Sequence, residues 1–157
     1  MASNSFFIKT KAKAWLQDIS ALANPILLLT IPFLIIGNQK LYLKLLFALL
    51  INEIVGSVIK VLFPKKRPDG QTYNTLLEKI DAGSFPSLHA SRITIAYLTL
   101  FFYSDQLIIK VGWGFLIFLV IISRVLLKKH YITDVIGGFA IGILIWYFLI
   151  FYSFFSA

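Results

Sequence analysis

Residues 107–127 read LIIKVGWGFLIFLVIISRVLL, with Lys110 and Arg124 the only charged side chains in the run. A helix needs about 20 mostly apolar residues to cross the hydrocarbon of a bilayer, and this run supplies them. Residues 19–37, 41–63, 86–103 and 131–155 have the same character. Pro25 and Pro32 predict a kink in the first of these, and Pro64 halts the second. Short polar turns, Asn38-Gln39-Lys40 and Ser104-Asp105-Gln106, join neighbours that must run antiparallel. The expected fold class is all-α: a polytopic transmembrane helix bundle of five spans plus an N-terminal interfacial helix.

The composition agrees. Of 157 residues, 59% are hydrophobic and 14% charged, against about 25% charged in soluble domains. Lipid is therefore the main solvent. The length suits one domain, residues 1–157, with no linker or repeat. The formal charge of +8 suggests anionic lipid as surroundings or substrate. No cysteine is present, so disulfide and thiol chemistry are excluded. No cleavable leader is expected, because no A-x-A-like site precedes the first run. Residues 5–18 mix Phe6, Phe7, Trp15 and Leu16 with Lys9, Lys11 and Lys13, the pattern of an interfacial helix. Trp15, Trp113, Tyr131 and Trp146 are expected to face lipid or its interface. Gly138 and Gly142 form a close-packing pair, expected to act within the bundle.

Five spans put the long polar loop 64–85 and the turn between the fourth and fifth spans on one membrane face. Lys60, Arg67, His89, Arg124 and His130 then lie at the same end of the bundle. Charges at a span's centre cost about 2.5–3.5 kcal/mol each on insertion scales, so such residues pair, line a cavity or do chemistry. His130 and Asp134, four apart, would share a helix face, the carboxylate aiming the imidazole as a nucleophile. Ser87 and His89 open the third span, where a helix N-terminus favours phosphate and His89 can act as a general acid. Lys60, Arg67 and Arg124 complement the three oxygens of a phosphoryl group in transfer. Each signal has a plainer reading: a packed His-Asp pair, an ordinary cap, snorkelling cations. Glu53, seven residues before Lys60, reads first as a polar contact between helices.

Together the signals are far more specific. Lys60 through Pro68 fits K-x6-R-P. Ser84-Phe85-Pro86-Ser87-Leu88-His89 is similar to P-S-G-H with its lead-in. Ser123-Arg124-x5-His130-x3-Asp134 fits S-R-x5-H-x3-D. In this order the set resembles the type 2 phosphatidic acid phosphatase superfamily of membrane lipid phosphatases. The resemblance implies that His130 attacks phosphorus to form a phosphohistidine, that Asp134 orients it, and that His89 protonates the leaving oxygen and then activates water. It implies phosphate binding by Lys60, Arg67, Ser87, Arg124 and the backbone N–H of Leu88, with no metal and no cofactor. Leu88 stands where the family has glycine. The smooth run into Ala90-Ser91 predicts a helical residue there, which keeps the N–H without strain.

The implied partners are a lipid phosphate and the membrane, with no nucleic acid. Lipid A 1-phosphate and phosphatidylglycerophosphate are the favoured substrates; undecaprenyl pyrophosphate and phosphatidic acid are alternatives. A non-catalytic lipid-phosphate-binding protein is the rival of another class, disfavoured by the intact His130, Asp134 and His89. An anion channel would need polar residues through the bundle's depth, where Asn52 and Glu53 stand almost alone. Counting lysines places the motif face in the cytoplasm. The resemblance to bacterial inner-membrane enzymes favours the periplasmic side.

Overall fold

The computed structural model describes residues 2–70, 75, 78 and 82–152. The middle of the polar loop and the expected end of the fifth span, residues 153–155, lie outside the described residues. Among those described, the elements are helices: α1 (Ala2–Ala21), α2 (Pro25–Ile36), α3 (Gln39–Leu62), α4 (Leu88–Tyr103), α5 (Leu107–Leu126) and α6 (Ile132–Trp146), the last continued by a π-helical segment, Tyr147–Tyr152. α3, α5 and residues 132–152 are long and apolar enough to cross a membrane. The all-helical, membrane-spanning class is as expected.

The predicted first span differs. α1 runs through the boundary drawn at residue 18, and the chain breaks at residues 22–24 before α2 begins. Asn24 and Pro25 cause the break. Asn24 Oδ1 accepts from the Ile26 N–H at 2.9 Å, and Pro25 sits in the first turn, where its missing N–H costs nothing. Gly37, at φ 61°, ends α2 after 12 residues, and Asn38 caps α3 by accepting from the Leu41 N–H at 3.1 Å. Twelve residues rise about 18 Å, too little to span alone.

α4 is the central helix. It packs most extensively against α6, then α5, then α3 and α2. It therefore buries several faces at once: Ile93, Ile95, Ala96 and Leu100 are all inaccessible. The contact with α6 depends on glycine. A Cβ on Gly138 would stand 2.3 Å from the Ser87 carbonyl oxygen, and one on Gly142 2.7 Å from that of Ser91. The glycine pair thus acts inside the bundle, as its spacing suggests.

Two aromatic expectations fail. Trp113 and Trp146 are buried, packed in the core with Val120 and Ile150. Their apolar area gains more from burial between helices than from the interface, where Trp15 and Tyr131 do remain exposed. Glu53 behaves as read: its carboxylate takes a bidentate pair of bonds from Arg92 of α4.

Candidate active site

The ends of α3 and α5 and the starts of α4 and α6 meet at one end of the bundle. Lys60 lies in the last turn of α3 and is buried. Arg124 lies in the last turn of α5, also buried, with one guanidinium nitrogen donating to Ser20 Oγ of α1 at 2.6 Å. Arg67 belongs to a turn in which the Gly70 N–H donates to the Arg67 carbonyl at 3.1 Å. That turn is tied to the α5–α6 connection twice: Asp69 N–H donates to the Lys128 carbonyl at 3.1 Å, and Lys129 Nζ pairs with Asp69 at 2.6 Å. Residues from separate motifs are thereby held in register.

His130 lies in that connection, before α6 begins, rather than on the helix. Its N–H donates to the Arg124 carbonyl at 3.3 Å. Its ring is buried, and Nδ1 lies 2.7 Å from the Ser84 carbonyl oxygen. Burial above all, and then the charge of Arg124, hold its pKa down at about 3; the bond to Ser84 opposes this, and Arg67 and Lys60 add to it. His89 sits within electrostatic reach of Arg124, Arg92, His130 and Lys60. The basic side chains and both imidazoles of the three motifs therefore converge.

Asp134 corrects the expected pairing. Its inaccessible carboxylate bonds to Lys65 Nζ at 2.5 Å, to the Ser84 hydroxyl and to the Tyr131 N–H at 2.8 Å. The imidazole of His130 is held by Ser84 instead. Four-residue spacing puts two side chains side by side only when both are helical, and here the chain bends at Lys129 and His130, before α6 begins at Ile132. Asp134 reaches His130 through Ser84: the hydroxyl donates to the carboxylate, and the carbonyl accepts from the ring.

Ser87 occupies the N-cap position of α4, yet its hydroxyl makes no capping bond. Its Oγ is buried and has no hydrogen-bond partner among the described residues. A buried hydroxyl at a helix N-terminus can donate to an anion. Its N–H donates to the Asp134 carbonyl at 2.9 Å, which joins the starts of α4 and α6. Leu88 is helical as expected, and its side chain fills the space over Gly56 of α3.

Three positioning residues escape a reading of the sequence. Ser84 carried a signal, standing in the lead-in of the second motif. Lys65, five residues past Lys60, was one lysine among many. Ser20 lies 104 residues from Arg124, and nothing local marks it.

The chain resembles known proteins. Phosphatidylglycerophosphatase B of Bacillus subtilis (strain 168) is 28% identical over 105 residues, taking in 61% of this chain and 50% of the relative. This chain thus spans about half the length of that curated relative. The crystal structure of a transmembrane PAP2-type phosphatidylglycerolphosphate phosphatase from Bacillus subtilis superposes with a TM-score of 0.68 at 22% identity, over 90% of this chain and 76% of that one. The fold is shared. Residues 41–156, which include every motif residue described above, match the PAP2 superfamily as a whole, and the chain belongs to that superfamily.

Proposed function

We propose that this protein hydrolyses the phosphate monoester of a membrane lipid through a phosphohistidine intermediate. The observation that carries the reading is the convergence of His130, His89, Arg124, Arg67 and Lys60 at one end of the bundle. Nδ1–H of His130 donates to Ser84, so Nε2 keeps its lone pair. Nε2 attacks phosphorus, the P–O bond to the lipid breaks, and His89, which takes up a proton when the anionic phosphate binds beside it, delivers that proton to the departing alkoxide. His89 then takes a proton from water as that water attacks phosphorus. The N–P bond breaks, inorganic phosphate leaves and His130 is regenerated. Lys60, Arg67, Arg124, the Ser87 hydroxyl and the Leu88 N–H hold the phosphoryl oxygens. Asp134 acts by fixing Ser84.

The substrate favoured is phosphatidylglycerophosphate, ahead of lipid A 1-phosphate. The relatives' names support this order: one is a phosphatidylglycerophosphatase, and the structural neighbour acts on the same lipid class. The chain is read as a single membrane-embedded unit in a bacterial inner membrane with its site on the periplasmic face. The test is phosphate release in detergent from phosphatidylglycerophosphate, lipid A, phosphatidic acid and undecaprenyl pyrophosphate. The expected result is release from the first at least tenfold faster than from the others. Release from none of them rejects the reading.

A further inference from the structure

α5 ends in a turn that ordinarily takes glycine. The Lys128 N–H donates to the Val125 carbonyl at 2.9 Å, and the Lys129 N–H to the Arg124 carbonyl at 3.1 Å. This pair of bonds closes a helix around a left-handed residue just past its cap, a place glycine usually fills. Lys128 fills it here, at φ 55°, the single non-glycine residue with positive φ among the described residues. Its β-carbon makes that conformation costly, so a lysine side chain is kept against the local preference. The Lys128 carbonyl accepts from the Asp69 N–H at 3.1 Å, which fixes the residue against the Arg67 turn.

Lys128 stands two residues before His130 and lines with it a cavity of about 520 Å³, to which Lys65, Tyr131 and Thr133 also contribute. The neighbouring lysines are committed: Lys65 pairs with Asp134 at 2.5 Å and Lys129 with Asp69 at 2.6 Å. The exposed Lys128 ammonium has no ion pair or hydrogen bond among the described residues. The phosphoryl group in transfer is already met by Lys60, Arg67 and Arg124, so Lys128 is a cation beyond what that group requires. We propose that Lys128 determines specificity by receiving a second anionic group of the substrate, the phosphodiester one glycerol away from the scissile monoester; the inference rests on the phosphatase reading above. Phosphatidylglycerophosphate carries that diester and phosphatidic acid does not. A lysine suits it, being a compact point charge on a flexible stem that needs no bidentate geometry.

The test compares dioleoyl phosphatidylglycerophosphate with dioleoyl phosphatidic acid in nonionic mixed micelles, so that acyl chains are constant and no other anionic lipid competes. The readout is the ratio of kcat/KM for the first over the second. Lys128→Gly and Lys128→Asn remove the charge with residues that adopt positive φ readily. Both are expected to lower the ratio about tenfold or more, the scale of a hydrogen bond to a charged group, through loss on phosphatidylglycerophosphate alone. The glycine variant should melt no lower than the wild type, because it relieves the left-handed strain. Lys128→Arg should keep the ratio. Lys66→Ala, which removes an exposed charge of the same loop from outside the cavity wall, should leave it unchanged. A wild-type ratio near one, an unchanged ratio in the glycine and asparagine variants, or an equal fall with Lys66→Ala or Lys128→Arg overturns the assignment. An equal loss on both lipids with a lowered Tm in the glycine and asparagine variants also overturns it, in favour of a structural role. Failure of the wild type to release phosphate from any of the four lipids named above overturns the phosphatase reading itself.

Discussion

Nδ1 of His130 and the carbonyl oxygen of Ser84 are 2.7 Å apart, and this contact sets the tautomer of the ring. A carbonyl only accepts, so Nδ1 carries the proton and Nε2 is the free base. The His130→Ala variant is therefore expected to lose phosphate release to background, with EDTA without effect on the wild type. Trapping with labelled lipid phosphate followed by denaturation should give an acid-labile, base-stable phosphoprotein in the wild type and none in the variant.

Ser84 serves His130 through its backbone and Asp134 through its hydroxyl. Ser84→Ala keeps the first and removes the second. Hydrogen bonds to charged groups contribute about 1.5–3 kcal/mol, so kcat should fall about 10- to 100-fold with KM nearly constant. Lys65→Ala also removes a partner of Asp134, but the Lys65 side chain is 39% exposed and solvent screens the pair. Its effect on kcat should stay within about threefold. Equal losses in the two variants would contradict this ordering.

His130 should not titrate near neutrality. Its pKa lies at about 3 because burial and Arg124 disfavour the cation, against about 6.5 in an unfolded chain. Between those values the unfolded chain binds a proton that the folded protein does not. Stability from this residue is thus present above pH 6.5 and lost as pH falls toward 3. The chain has two histidines, so the ring carbon signal of His130 can be assigned by comparison with His89→Gln. The expected signal is flat from pH 5 to 8; a midpoint near 6.5 would refute the buried, neutral ring.

Gly138 permits the approach of α6 to Ser87. Gly138→Val would drive a branched side chain into the Ser87 carbonyl. Overpacking costs about 1–3 kcal/mol, and here it also separates Ser87 from Asp134. A lowered Tm with near-complete loss of activity is expected. Gly112→Val, where nothing lies within 4 Å of the added Cβ, should leave both unchanged.

The helical class was legible because apolar runs and short polar turns suffice to state it. The convergence of Lys60, Arg67, His89, Arg124 and His130 followed from parity, since an odd number of crossings separates no two of these motif ends. Other features were not legible. The break at Asn24-Pro25 reads in sequence as a kink, because a proline tolerated in a first turn looks the same as one bent mid-helix. Trp113 and Trp146 carry amphipathic side chains, and only the neighbours supplied by α4 decide whether they face lipid or core. The Asp134–Ser84–His130 relay depends on where α6 begins, at Ile132, two residues past His130.

Leu88 and Gly56 divide one volume between two helices: the side chain stands on α4 and the vacancy on α3. Bulk added at Gly56 thus requires the Leu88 side chain to move or shrink. Superfamily members with an aliphatic residue before the motif histidine should carry glycine or alanine at the position facing it, while those with glycine there should tolerate bulk opposite. Leu88→Gly in this chain would open a void that Gly56→Leu should refill. A motif scored one position at a time penalises Leu88 as an error; scored as an interlocking couple, it becomes a permitted spelling.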